Sequence, residues 1–346
     1  MTSRALRRAR QQAFSRIGAI SLVGALAAGA AITGLPSPAG AAGGSVSIVA
    51  YSTPKAAFGA EVTAFQATSA GSGVTFTQSF AASGTQASDV VSGLPADVVN
   101  FSTTLDMNKV VTAGLVAKSW DKNANAGMVT NSIVSFIVRK GNPKHIKTWA
   151  DLVKSGVGVV TPNPFSSGSA KWNLLAGYGA QLAAGQSKAK AKTYLTKLLG
   201  NTVSQPASAS TALQAFLSGQ GDVLLDYQDD AAYAVAQGEP ITVVTPPQSI
   251  LIQNPIALTT SGAKNPAAVA FEKFLLSAAG QKIWAQQGYQ PVLASVAKKF
   301  TFPKPAKLFT INTFGGWVKA NATFFDPTTG LVAKIEQGLG VSTASG

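Results

Sequence analysis

Two short stretches set small hydroxyl residues and glycine where an apolar strand pattern gives way to a helical one: Ser83-Gly84-Thr85-Gln86 and Ser166-Ser167-Gly168-Ser169. The first turn of a helix leaves N–H groups without intrahelical acceptors and carries the positive end of the macrodipole. Such a terminus can hold a bare tetrahedral oxyanion without any charged side chain. Capping alone explains an isolated Ser-Gly pair, with Ser83 in the N-cap place of its helix. Two matched pairs favour a shared cleft, and the second directly follows a strand, where ligands collect in α/β proteins. Ser208-Ala209-Ser210-Thr211, ahead of an apolar stretch at Leu213, is either a third such start or a plain loop.

Other chemistry is poorly supplied. A serine nucleophile needs a base within hydrogen-bond reach, and the one histidine, His145, follows Gly141-Asn142-Pro143, away from the serine segments, and reads as a surface residue. Lys171 lies near Ser167 in sequence and can add to the pull on an anion or face solvent. The chain has no cysteine, which excludes disulfides, thiol nucleophiles, Cys-ligated metals and a lipid-modified cysteine. No His cluster or carboxylate pair at ligand spacing suggests a metal. The expectation is a binding protein, not an enzyme, without cofactor or metal.

The elements that must position these residues follow from periodicity. Val46 to Tyr51 is a strand, and Phe58, Val62 and Phe65 stripe the helix after it. Val74 to Ser79 and Asp97 to Phe101 are further strands; Ala87, Val90, Val91 and Leu94, then Met107, Val110 and Val111, line helices. Repeated βα units imply a mostly parallel sheet. Ser132 to Arg139 is apolar on both faces, stops at Gly141-Asn142-Pro143, and is a candidate crossover. The pattern then restarts with strand Val157 to Thr161, helices at Trp172 to Leu182 and Leu213 to Leu217, and strand Asp222 to Asp226. Ile241 to Thr245, then Pro246-Pro247, then Ile250 to Ile252 and Ile256 to Leu258 read as the return strand to the first lobe, ahead of helices near Val269 to Leu276 and Gln281 to Gln287. The boundaries read as lobe 1 over 42–143 and 249–299, lobe 2 over 144–248, and a C-terminal segment 300–346 packing on lobe 2 with a strand at Leu308 to Ile311.

Residues 1–41 hold five arginines and no acid, then a Gly/Ala/Leu-rich uncharged run from Ile17 to Leu35, then Ala39-Gly40-Ala41. This is the pattern of a cleavable signal peptide for general secretion, too diluted by small residues for a retained membrane helix. The five arginines account for five of the +14 formal charge, leaving +9 on the remainder. That charge can draw anions from a distance or simply keep the surface solvated. Its lysines are scattered and Arg139 is its single arginine, which does not suit a nucleic-acid face.

These residues resemble the periplasmic sulfate/thiosulfate-binding proteins that feed ABC importers. The resemblance runs through nearly all of the chain after residue 41. It rests on Ser83-Gly84 with Gln86, Pro95-Ala96-Asp97-Val98-Val99, Val138-Arg139-Lys140-Gly141-Asn142-Pro143, Thr161-Pro162-Asn163-Pro164 with Ser167-Gly168 and Ala170-Lys171-Trp172-Asn173, Gly221-Asp222-Val223-Leu224, and Phe314-Gly315-Gly316-Trp317. It implies an α/β fold of two lobes, the type II periplasmic-binding fold, each lobe a mostly parallel sheet flanked by helices. A dehydrated anion would sit between the lobes, held by main-chain N–H groups and neutral donors.

By this resemblance Ser83 supplies one hydroxyl, Ser167 another together with the amides of Gly168 and Ser169, Ser208 a main-chain amide, and Tyr227 a side-chain donor. Ser52 stands where the family often has Asp, Ser169 where it often has a second Gly, and Tyr227 where it has Trp. Each keeps a possible donor, and Tyr227 is equally a packed aromatic at a strand end. Sulfate offers only acceptors at neutral pH, so a donor-only pocket suits it, whereas hydrogen phosphate also wants an acceptor. The segments expected to face the anion contain no acid, and Asp226, Asp229 and Asp230 are read as facing outward or lying behind the contacts. The expected function is an extracytoplasmic, monomeric receptor that captures sulfate, with thiosulfate as well, and hands it to a membrane permease. The alternatives are another tetrahedral oxyanion, molybdate or phosphate, and a sensor or adhesion module on the same fold.

Overall fold

Val46, Ile48 and Ala50 point to one side of the first strand and Val49 to the other, and both sides are buried, which suits an interior strand covered by helices on two faces. This is β1 (Ser45–Tyr51) of a computed structural model that describes residues 43–341 and residue 343. The signal peptide expected over 1–41 lies outside the described residues. After β1 come α1 (Lys55–Gln66), β2 (Thr75–Ala81), α2 (Ser83–Val91), β3 (Val98–Asn100), α3 (Thr104–Thr112) and the long β4 (Met128–Arg139). The second half holds β5 (Val159–Val160), α4 (Gly168–Ala183), α5 (Lys188–Gly200), β6 (Thr202–Ser204), α6 (Ala209–Leu217), β7 (Val223–Tyr227), α7 (Gln228–Ala236) and β8 (Ile241–Val244). Then β9 (Gln248–Leu258) leads back to α8 (Pro266–Leu275), α9 (Ala278–Gln286), β10 (Gln290–Pro291) and α10 (Ala294–Ala297), before β11 (Lys307–Phe309), α11 (Gly316–Ala320) and α12 (Leu331–Gly338).

The strands lie in the order β2-β1-β3-β9-β4-β7-β5-β6. β1 pairs in parallel with β2 and β3, and β5 with β6 and β7, as βα units require. The centre is different, because β4 and β9 run against each other and against β3 and β7. They are the two passages between the lobes, one outward and one back, so the expected mostly parallel sheet is mixed in its middle. Residues Met128 to Ile133 of β4 pair with β9 while Val134 to Val138 pair with β7, so a single strand belongs to both lobes.

The return strand expected from Ile241 begins later: Ile241–Val244 is β8, paired with β4, and β9 alone carries the chain back from Gln248 to Leu258. Gln253, Asn254 and Pro255 continue the ladder, and the register shifts between Met128 and Thr130, opposite Pro255, whose nitrogen cannot donate. The first lobe packs Phe58, Phe65, Phe271 and Trp284 on one side of its sheet and Met107 and Val110 on the other. The second packs Phe136, Trp149, Trp172 and Leu225 on one side and Ile137, Leu213 and Phe216 on the other. From the tail, Phe314, Trp317 and Phe324 join the cluster of Trp172, whose ring centroid lies 4.6 Å from that of Trp317. Arg139 is spent structurally, donating to the Phe216 carbonyl at 2.7 Å and stacking over that residue's ring.

Candidate functional site

α4 begins as expected, with Ser167 extended at its N-cap and accepting from the Ala170 N–H at 3.4 Å. The Ser167 proton stays uncommitted, and among the described residues no protein acceptor is recorded for the Gly168 and Ser169 amides. α6 begins in the same manner, with Ser208 accepting from the Thr211 N–H in a reciprocal capping box. α2 differs: Ala82 is its N-cap and Ser83 is already the first helical residue. The Ser83 hydroxyl donates to Asp106 Oδ2 at 2.6 Å and accepts from the Ser102 N–H at 2.9 Å.

Ser102, which the sequence reading did not single out, is where the lobes meet. Its Oγ shares a 2.6 Å hydrogen bond with the Tyr227 hydroxyl, and its carbonyl accepts from Trp172 Nε1 at 2.9 Å. A Cβ added to Gly168 would fall 2.5 Å from Ser102 Oγ, so glycine is what lets the start of α4 approach this closely. Phe101-Ser102-Thr103 obeys the rule that found the other starts, small hydroxyls between strand and helix, and could have been found by it. A second contact joins the lobes where the Gly84 N–H donates to the Ser166 carbonyl at 3.1 Å; a Cβ at Gly84 would lie 2.8 Å from that oxygen. The Gly84 approach is thus to the opposite lobe's backbone.

Ser83, Gly168 and Tyr227 therefore converge on Ser102, and Ser169 joins them through Asp226, to which its hydroxyl donates at 3.5 Å. Ser52 forms a separate contact, its Oγ accepting from the Ser210 N–H at 3.3 Å beside Ser208. Among the described residues no hydrogen bond ties Ser52 or Ser208 to the Ser102 group; the link is the Tyr51 ring, 6.2 Å from that of Tyr227. Lys171 does not turn toward Ser167. Its ammonium donates to Asn321 Oδ1 at 3.2 Å and lies over the Phe325 ring, on the wall of a cavity of about 670 Å³ shared with Thr85, Asp106 and Ser166. His145 is exposed in the turn after β4.

Asp106 takes hydrogen bonds from Ser83 and Thr103, so acid does stand behind the hydroxyls of this junction. Of the two readings of Asp226, Asp229 and Asp230, the outward one fails, since they are 0%, 1% and 5% exposed, and Asp226 lies behind Ser169 as the other reading has it. The reason is that β7 runs straight into α7, so these residues occupy a strand end and first helical turn that the other lobe covers. Burial raises all three carboxyls, Asp229 to about 7 and Asp226 and Asp230 well above the usual carboxylate range. Burial also holds the Tyr227 phenol well above its ordinary value, so it remains a protonated donor at neutral pH.

Residues 46–290 match the family model described as bacterial extracellular solute-binding protein. A sulfate-binding protein of Synechococcus elongatus is 35% identical over 291 residues, covering 81% of this chain and 83% of that protein. A thiosulfate-binding protein of Pseudomonas aeruginosa is 34% identical, covering 74% of this chain and 80% of its own length. Among solved structures, the sulfate-binding protein SubI from Mycobacterium tuberculosis H37Rv superposes with a TM-score of 0.78 at 41% identity, covering 81% of this chain and 98% of that one.

Proposed function

The chain belongs to the bacterial extracellular solute-binding protein family, and we propose that it captures sulfate, and thiosulfate as well, between its two lobes and delivers the anion to the membrane permease of an ABC importer. The observation that carries this reading is the buried start of α4. There the Gly168 and Ser169 amides and the Ser167 proton point no bond at the protein, while α4 contributes the positive end of a 16-residue helix. Ser52, Ser83, Ser208 and Tyr227 complete the proposed ligand-contacting set, drawn from both lobes across the crossovers β4 and β9, with the Ser83 proton turning from Asp106 to the anion on binding. The proposed lobe boundaries are 42–143 with 249–299 and 144–248, with 300–346 assigned to lobe 2. The expected segment 1–41 exports the chain, and it acts as an extracytoplasmic monomer.

Closure is the proposed mechanism. The anion gains contacts from both lobes only in the closed form, so it shifts the population toward the shape that a permease can recognise. In the closed arrangement the Gly84–Ser166 and Ser102–Tyr227 hydrogen bonds latch the lobes directly. A second reading is favoured by one observation: Asp106 and Asp226 lie behind Ser83 and Ser169, and such acceptors suit an oxyanion that carries a proton, such as hydrogen phosphate. Isothermal titration of the protein lacking residues 1–41, dialysed free of anions, with sulfate, thiosulfate, molybdate and phosphate separates the two. Tight sulfate binding with phosphate silent supports the sulfate reading; heat from phosphate alone replaces it with the second, and no heat from any anion removes transport of oxyanions altogether.

A further inference from the structure

Of the three buried carboxyls, Asp229 and Asp230 face the lobe to which they do not belong, while Asp226 is enclosed by Ser169, Tyr227 and Asp230 of its own lobe and adjoins the other two. Asp226 ends β7, and Asp229 and Asp230 stand in the first turn of α7, all in the second lobe. Facing them are Tyr51 from the end of β1, Ser132 from the first-lobe half of β4, and Tyr289 beside β10; Tyr227 lies on their own strand. The turn before β10 presses on α7 so closely that a Cβ at Gly288 would lie 2.9 Å from the Ala232 Cβ and 3.4 Å from the Asp229 Cα. Among the described residues no lysine, arginine or histidine forms an ion pair with any of the three.

The cluster is also incompletely satisfied. Asp226 Oδ2, both oxygens of Asp229 and Asp230 Oδ2 are buried without a well-formed hydrogen bond, as are the hydroxyls of Tyr51 and Ser132 that face them; Ser132 and Tyr289 make only loose contacts with Asp229, and Asp226 with Asp230. A cavity of about 10 Å³ lies against Thr53, Asp229, Asp230 and Tyr289, between the two lobes. That is the lower limit of the space one water needs, and Ala56 and Ala57 share its wall with the two carboxyls, so the site offers them little solvation. An ionised carboxylate without a counter-ion is strongly disfavoured in such surroundings and takes up a proton instead. With the lobes apart, Tyr51, Tyr289 and the turn at Gly288 would withdraw, and water would solvate the same groups.

We propose that closure of the lobes is coupled to protonation of the Asp226–Asp229–Asp230 cluster, so that capture of the anion takes up protons. The proposal rests on the reading that closure accompanies anion capture. The direction is fixed by which state binds protons more tightly. Hydrated aspartate titrates near 4, whereas burial holds Asp229 at about 7 and its two neighbours well above their ordinary value. Below about pH 4 both forms are protonated and closure is indifferent to pH. From there up to about 7, and beyond for Asp226 and Asp230, the open form has lost protons that the closed form keeps. Closure, and affinity with it, therefore weakens as pH rises through that window, by up to about tenfold per unit for each proton taken up.

The test is calorimetric titration with sulfate, which carries no proton in this range, at pH 5.5, 6.5 and 7.5, in two buffers of different ionisation enthalpy. Small-angle scattering of the ligand-free protein at each pH accompanies it. Expected are uptake of about one proton or more per sulfate bound and an affinity that drops about tenfold between pH 5.5 and 6.5. Asp229→Asn should keep sulfate binding at pH 5.5 while lowering the proton uptake by about one and making the profile correspondingly shallower, with Asp230→Asn as the alternative variant should the first not fold. Sulfate binding with no proton uptake and a flat profile overturns the coupling and leaves the transport reading standing. If no anion binds but the ligand-free protein grows more compact as pH falls, the coupling stands and the transport reading falls; neither binding nor compaction overturns both.

Discussion

The Tyr227 hydroxyl and the Ser102 Oγ lie 2.6 Å apart, wholly buried, and join the end of β7 in one lobe to the segment after β3 in the other. Tyr227→Phe removes this bond and leaves Ser102 short of a partner at a site closed to water. Sulfate affinity is expected to fall by about 1–3 kcal/mol, the range for stranding a buried polar group. Titration calorimetry on the variant decides it, and an unchanged affinity would remove Tyr227 from the proposed set.

Gly168→Ala tests the close approach separately from helix formation. Gly168 does not occupy the left-handed region, so alanine is acceptable to the helix itself and improves its propensity by up to about 1 kcal/mol. In the closed form, however, the new Cβ would fall 2.5 Å from Ser102 Oγ. The expected outcome is a ligand-free protein of unimpaired thermal stability whose sulfate affinity drops at least about tenfold, or roughly 1.4 kcal/mol. A variant that binds as tightly as the parent would mean that Ser102 yields freely.

Ser167→Ala has two separable effects. Loss of the cap on α4 should lower stability by about 1 kcal/mol with or without ligand. Loss of the uncommitted hydroxyl proton should weaken sulfate by a further 1–3 kcal/mol, roughly, if it reaches the anion. Melting curves in the absence and presence of saturating sulfate divide these, since only the second effect shrinks the ligand-induced shift.

Glu61 sits on α1 under Trp284 with both carboxylate oxygens buried and unpartnered, and burial pushes it up to about 9. In the unfolded chain it titrates near 4.3. The folded state therefore binds its proton more tightly. Its contribution to stability is whole below about pH 4 and is lost as pH rises toward 9. Glu61→Gln, neutral at every pH, should be more stable than the parent by roughly 3–4 kcal/mol at pH 7 and level with it at pH 4. Urea denaturation at the two values checks this; a gain that does not depend on pH would mean Glu61 is already ionised in the folded protein.

Much of the scaffold was legible because periodicity is local. The stripe at Phe58, Val62 and Phe65 marks α1, and all three pack in the first-lobe core. The start of α7 carries no apolar stripe, since Gln228-Asp229-Asp230 is wholly polar, and only the covering lobe makes it interior. β9 is legible from its apolar ends, Ile250 to Ile252 and Ile256 to Leu258, and the polar Asn254 between them is buried and meets Thr130 across the ladder at 3.3 Å.

By itself the sequence determined where small hydroxyls and glycine meet helix starts, at Ser83, Ser167 and Ser208, because capping chemistry and helical period are set by neighbours a few residues apart. Only the tertiary structure decided where each proton goes. Ser83 donates to Asp106, 23 positions on, and Tyr227 meets Ser102, 125 positions back, so the direction of either bond depends on how two lobes close. The same closure decides that Asp226, Asp229 and Asp230 are interior, since a side chain's solvation is fixed by what packs over it and not by its own chemistry.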